Sequence, residues 1–480
     1  MSQTLSQTTQ VSHPLETEKI SRLLRRFAIP CIISLVVNAL YNIVDQIFIG
    51  QSVGYLGTAA TNVSFPMVTI AFAFALLIGD GGAAYYSIKL GGRYKDSAAK
   101  GVGNALVMLL VSGIVFMVVG LIFLEPLLYF FGATEAVFPY AKAYTSIILF
   151  GLPFMIISAG FNSIIRADSS PRYAMTSMIV GAVINTVLDP ILIFGFDMGV
   201  EGAAIATIIG QFIACLISLW YLRRFQNIQF DRRLLKLDSD TCKTVLSFGL
   251  ASFITQASIT VIIIIMNNSL AYYGAASIYG AEIPLSALGI VMKVNMIMIS
   301  IIIGISIGAQ PIWGYNYGAK NYDRVKQTYK LAITVSLICA SVAFIFFMFL
   351  PDYIIALFGK TDELYKEFAR KCFRIFLMFC IANAFQIVTS IYFQATGNPK
   401  ISTLLSLSRQ IIFLLPPLII LPRIFGLEGT LYSGPIADIL AFALALVLII
   451  REMARLDKKQ AEMMQKQEPK PEALIKGASL

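Results

Sequence analysis

The chain has 480 residues, of which 57% are hydrophobic and only 13% charged, with a formal net charge of +10. A soluble domain carries about a quarter charged residues, so a water-soluble globular protein is excluded. The basic excess would suit nucleic acid, but its bases alternate between loops in the manner of membrane topology.

The opening residues, MSQTLSQTTQVSHPLETEK, are too polar and acidic for a cleavable signal peptide. Apolar runs of membrane-crossing length then recur along the chain. They predict an all-α polytopic protein with twelve spans, at 27–49, 57–80, 101–124, 139–160, 173–195, 201–223, 245–271, 283–307, 328–350, 369–393, 401–421 and 427–450. Lys19, Arg22, Arg25 and Arg26 precede the first span, and Lys89, Arg93, Lys95 and Lys100 follow the second. Arg166 and Arg172 follow the fourth, Arg223, Arg224, Arg232, Arg233, Lys236 and Lys243 crowd the central loop, and Lys320, Arg324, Lys326 and Lys330 follow the eighth. The opposite loops at 50–56, 195–201 and 271–282 contain no Lys or Arg. This asymmetry predicts cytoplasmic termini. The six cysteines form no Cys-x-x-Cys pair and read as free thiols.

The chain repeats itself. Phe131-Gly132-Ala133-Thr134 matches Phe358-Gly359-Lys360-Thr361, Gly199-Val-Glu-Gly202 matches Gly426-Leu-Glu-Gly429, and Leu90-Gly91-Gly92-Arg93 matches Tyr317-Gly318-Ala319-Lys320, all at one offset of 227. Arg166-Ala-Asp-Ser-Ser-Pro171 resembles Gln394-Ala-Thr-Gly-Asn-Pro399 with a one-residue slip. Two six-span halves of like orientation follow: an N-lobe at 27–224 and a C-lobe at 244–450. A cytoplasmic linker at 225–243 joins them, and cytoplasmic tails occupy 1–26 and 451–480. Parallel repeats of this kind are a transporter plan, with the substrate site between the halves. The end of the chain reads as a solvated extension, helical at first.

Polar residues inside the spans are the candidate functional groups. Asn38, Asn42 and Asp45 form a stripe on the first span. Asn185 and Asp189 lie one turn apart on the fifth, with Pro190 following, and Thr207 lies a turn and a half into the sixth. The loop charges put Asp45, Asn185, Asp189 and Thr207 at one depth. Two carboxylates at one depth of a bilayer are costly and form a candidate proton or sodium site, since a hard cation takes oxygen ligands. Packing alone would also explain a single aspartate. Asp80 ends the second span near the cytoplasmic face, where water can reach it. Lys293 is expected to line a central cavity or neutralise a carboxylate, Arg409 to snorkel, and Asp438 to pair with either. Met292, Met296 and Met298 offer an adaptable apolar wall, although plain core explains them as well.

On these residues the chain resembles the multidrug and toxic compound extrusion (MATE) family, in particular its MepA-like bacterial branch. Asn38-Ala-Leu-Tyr-Asn-Ile-Val-Asp-Gln-Ile-Phe-Ile-Gly50 and Asn185-Thr-Val-Leu-Asp-Pro-Ile-Leu-Ile-Phe-Gly195 carry the resemblance. Gly199-Val-Glu-Gly-Ala-Ala-Ile-Ala-Thr207 and Gln394-Ala-Thr-Gly-Asn-Pro399 support it. It implies a V-shaped pair of six-helix lobes around a central cavity in the bacterial cytoplasmic membrane. It also implies export of organic cations and other amphipathic compounds against incoming sodium or protons, with Asp45, Asn185, Asp189 and Thr207 as the N-lobe cation site. The seventh and tenth spans, where some members carry acids, here offer Gln256, Asn267, Asn383 and Gln386.

The expected function is therefore a cation-coupled antiporter, monomeric and without a cofactor. A flippase or exporter of a metabolite or lipid-linked substrate on the same fold is the alternative. An enzyme is not expected, because the single histidine, His13, stands in the polar leader. Gly359-Lys360-Thr361 resembles the end of a P-loop, but Ile354 stands where its first glycine belongs. A channel or receptor would need a continuous pore or a ligand domain, and the chain has no soluble domain.

Overall fold

The computed structural model describes residues 14–467 except 54, 132, 134, 136, 230, 281 and 357–362, and omits some further side chains, including Asn42. His13, the glycine and threonine of the first Phe-Gly-x-Thr repeat, the whole of its second copy and the P-loop-like triplet lie outside the described residues.

Helices form all the regular structure among the described residues. Eleven are long and apolar enough to cross a membrane, and one bent pair makes a twelfth span. We number them α1 (Ile20–Val53), α2 (Tyr55–Gly91), α3 (Lys95–Ile122), α4 (Phe138–Ala167), α5 (Pro171–Gly195), α6 (Gly199–Trp220), α7 (Ser239–Ala275) and α8 (Glu282–Gly318). They continue with α9 (Tyr322–Phe349), α10 (Glu363–Phe376 and Cys380–Ala395, bent by 47°), α11 (Pro399–Phe425) and α12 (Leu427–Gln467).

The repeated motifs are helix stops. Arg93 and Lys320, 227 residues apart, both have positive φ just beyond α2 and α8. Ser169 and Gly397 do the same beyond α4 and α10, and Gly199 and Gly426 at the starts of α6 and α12. A left-handed residue past the last turn ends a helix, and Pro171 and Pro399 then start the next one, where a missing N–H costs nothing. Proline also marks the fifth helix of each half. In α5 a π-helical stretch, Ile191–Gly195, follows Pro190; in α11 another, Ser408–Leu414, precedes Pro416 and Pro417. Removal of a backbone donor favours such a local widening.

Buried apolar side chains form two clusters. One gathers α2–α6 with Leu23, Phe27 and Ile49 of α1. The other gathers α7–α12 with Leu24 and Ala28. Helices α1 and α2 meet α7 and α8 along a seam of glycines. A Cβ on Gly249 would collide with the Leu77 carbonyl, on Gly91 with that of Tyr315, on Gly318 with that of Ile88, and on Gly308 with Ala28. All these contacts fall toward one end of the bundle, where the basic loops gather. Gly249→Ala is expected to force α2 and α7 apart there. Thiol labelling of a cysteine placed at Ser87, which is buried beside Gly314, should then rise severalfold in a background without native cysteines. Unchanged labelling would mean that the seam absorbs a methyl group.

Several limits differ from the hydropathy reading. Helices α2 and α8 each run eleven residues beyond the predicted ends at 80 and 307. The tenth span is broken at 377–379. The tail is helical at first, as expected, with α12 unbroken to Gln467, but its first part is tied down and not free. There Asp457 meets Lys326 at 2.6 Å, Lys459 lies 5.3 Å from the Tyr317 ring, and Gln460 bonds Asp323. The central loop packs on α3, since Asn104 accepts from Asp238 N (2.7 Å) and donates to the Lys236 carbonyl (3.3 Å). Asp238 then caps α7 by accepting from Thr241 N (3.1 Å) and Thr241 Oγ1 (2.6 Å). The Thr241 hydroxyl, with Lys100 next, holds that carboxyl down to about 2. All six cysteines are free thiols.

Candidate functional site

Helices α1, α5 and α6 bring four polar residues together. Gly210 of α6 packs so tightly on α5 that its Cβ would meet the Gly181 carbonyl at 2.6 Å and Asn185 Cβ at 3.2 Å. This close crossing puts Thr207, one turn away on α6, within reach of α5. Asn185 Nδ2 donates to Thr207 Oγ1 (3.2 Å) and to Asp189 Oδ1 (3.2 Å). From α1, the Asp45 carboxyl meets that of Asp189. Phe48 of α1 packs edge-on against Phe194 of the π-helical stretch, 6.3 Å between centroids, which fixes α1 against the widened turn.

Asp189 is 0% exposed and Asn185 3%. Asp45 Oδ1, Asn185 Oδ1 and Asp189 Oδ2 are buried without a hydrogen-bond partner among the described residues. Buried polar atoms are seldom left unpaired. Two carboxylates in contact away from water repel unless a proton or cation lies between them. The cluster offers only oxygen on its accepting side, which suits a proton or a hard cation such as sodium. Asn38 is half-buried on the same helix as Asp45.

The other polar candidates fall elsewhere. Asp438 pairs with Arg409, whose Nη2 and Nε lie 2.9 and 3.1 Å from Oδ1. Arg409 therefore does not snorkel: its side chain is 18% exposed and that of Asp438 6%, and the ion pair spans α11 and α12. Lys293 neutralises no carboxylate within 4 Å among the described residues, and it is exposed on α8. Met296 is exposed, Met292 half-buried and Met298 buried. Gln256 is half-buried and Asn267 exposed. Asn383 is buried, its Oδ1 without a partner among the described residues, and Gln386 donates to the Leu405 carbonyl at 3.2 Å.

Asp80 does not end α2 in water. It is 6% exposed and stands between the halves. Ser163 of α4 donates to its Oδ1 (2.7 Å) and Ser252 of α7 to its Oδ2 (2.8 Å). Behind each serine stands the head of a repeated motif: Arg166 donates to Ser163 (2.8 Å) and Gln394 to Ser252 (3.0 Å). Ser163 and Ser252 went unread in the sequence, where isolated serines in apolar runs are common. The only signal was that Arg166 and Gln394 occupy matching places in the repeat.

A helical bundle of twelve spans in two like halves is the architecture of a multi-pass membrane transporter. The chain belongs to the MatE family, whose model matches residues 30–191 and 250–419, and is thus a transporter of the multidrug-export MATE class. It is 26% identical over 451 residues to the multidrug export protein MepA of Staphylococcus haemolyticus, covering 94% of this chain and 98% of that protein. Its identity to MepA of Staphylococcus aureus strain NCTC 8325 is 24% over 455 residues, with the same coverage. Among solved structures, an outward-facing MATE family transporter of the MOP superfamily superposes with TM-score 0.84 at 24% identity, covering 93% of this chain and 97% of that one. A MOP superfamily transporter from Pyrococcus furiosus, described as having a binding pocket of reverse polarity, gives 0.85 at 23%, covering 92% and 98%. At these identities the structural likenesses speak to fold.

Proposed function

We propose that the protein is a cation-coupled antiporter of the bacterial cytoplasmic membrane. It exports organic cations and other amphipathic compounds by alternating access, in exchange for protons or sodium. Residues 27–224 and 244–450 act as its two lobes, both termini lie in the cytoplasm, and the protein works as a monomer without a cofactor. The observation that carries this reading is the contact of Asp45 with Asp189 beside Asn185 and Asp189 oxygens that have no partner among the described residues. A proton or sodium ion bound there draws α1 toward α5. Drug and ion drive each other only if each binds the two arrangements of the lobes unequally.

Export of a metabolite or lipid-linked anion on the same fold is less well supported. Asp438 takes up the charge of Arg409, which leaves Lys293 as the basic candidate among the notable intramembrane residues.

The test is efflux of ethidium from proteoliposomes under separately imposed sodium and pH gradients. Export under one gradient identifies the coupling ion. No dye movement under either would sink the drug-export reading and raise the alternative substrate.

A further inference from the structure

We propose that the protein holds an anionic phospholipid at the basic end of α1, α5 and α6, with the phosphate among three arginines and an acyl chain along α6. A cavity of about 750 Å³ opens there, and Arg26, Arg172 and Arg224 line it. Arg26 has only a loose ion pair with Glu18 at 3.7 Å. Arg172 and Arg224 have no carboxylate within 4 Å among the described residues. Ser169 lines the same cavity, and its Oγ is buried without a partner among the described residues. Three guanidinium groups from three helix ends with so little internal compensation form a site for a phosphate, which arginine grips in a fork geometry.

The apolar half of the site decides which phosphate. A second cavity of about 330 Å³ adjoins the first and shares Tyr173 and Arg224 with it. Leu216, Ile217 and Trp220 line it, and Leu216 and Trp220 are half exposed on the outer face of α6. Tyr173 donates to the Ile217 carbonyl at 2.8 Å, which fixes the ridge between the two cavities. Arg223 lies 4.9 Å from the Trp220 ring, a pairing of indole and cation that suits a membrane–water boundary. A soluble phosphate has no use for the apolar groove, whereas a phospholipid fills both. Basic pockets between spans on this side of a membrane protein are known lipid-headgroup sites. The pocket lies at the opposite end of the same three helices that carry Asp45, Asp189 and Thr207, so a bound phosphate ties α1 to α5 and α6. The proposal does not depend on the coupling ion or the exported compound.

The test is native mass spectrometry of the purified full chain in detergent, titrated with phosphatidylglycerol and with phosphatidylcholine. Phosphatidylglycerol should be retained in preference. Arg172→Gln with Arg224→Gln should weaken that retention on the order of tenfold or more, while Lys330→Gln, on exposed α9 surface in the other half, should leave it unchanged. Leu216→Trp fills the groove with both arginines intact and should also lower retention. The proposal is overturned if the double arginine variant or the groove variant keeps the lipid, or if both lipids are retained equally. It is equally overturned if excess inorganic phosphate or glycerol 3-phosphate displaces phosphatidylglycerol as well as the lipid itself does, because the site would then be one for soluble phosphates.

Discussion

Asp189→Asn is expected to reduce gradient-driven efflux to the level of empty vesicles while the protein remains folded and inserted. The side chain is fully buried, and its size and the hydrogen bond from Asn185 survive as an amide–amide contact, so packing changes little. What the substitution removes is the second negative charge facing Asp45, the charge that the proposed function assigns to cation loading. Asp45→Asn should behave the same way. Thr207→Ala removes one hydroxyl from the cluster, which is worth about 1 kcal/mol. It should weaken ion affinity about fivefold and leave the maximal rate nearly intact. Efflux at a series of ion gradients separates the two patterns. If Asp189→Asn exports dye as the wild type does, the carboxylate pair serves packing.

The second large effect is on stability. Asp438→Ala strands the Arg409 guanidinium between α11 and α12. Breaking a buried pair on one side costs about 3–5 kcal/mol. The lower end applies here, since the Arg409 side chain keeps 18% exposure. Replacing both partners, Arg409→Met with Asp438→Leu, should return stability to within about 1 kcal/mol of wild type, because no charge is then left buried. Thermal unfolding of the three variants in one detergent measures this. If the double variant is as unstable as the single one, Asp438 acts through something other than Arg409.

What the sequence disclosed follows from how local each signal is. Twelve spans were legible because about twenty apolar residues form a strong local pattern. Asn185 and Asp189 are one turn apart on one helix, so their shared face needed no tertiary information. Spacing along the spans together with loop charge brings Asp45 and Thr207 to the same depth. Depth says nothing of rotation about the helix axis, however, so the sequence allows Asp438 either Lys293 or Arg409 as its partner. The ends of α2 and α8 were missed together, at residues 81–91 and 308–318. Those segments, GGAAYYSIKLG and GAQPIWGYNYG, are rich in glycine, tyrosine and polar groups, and hydropathy reads them as loop. Their glycines serve backbone contact across the seam, an interaction that leaves no hydropathic trace.

The placement of Asp80 has a consequence for the order of events in a transport cycle. Its two oxygens are held by serines from opposite halves, so the halves cannot part at that end without taking one donor from a buried carboxylate. Under the proposed alternating access, opening at that end thus has its own threshold, separate from ion or drug binding and lowered when water or a new donor arrives with the movement. Arg166 is already bonded to the serine that stays behind, and its Nε is buried without a partner among the described residues. Under the same reading the replacement charge stands one side chain away, in the half that carries Asp80 itself, and Ser252 of the other half is the donor that is lost.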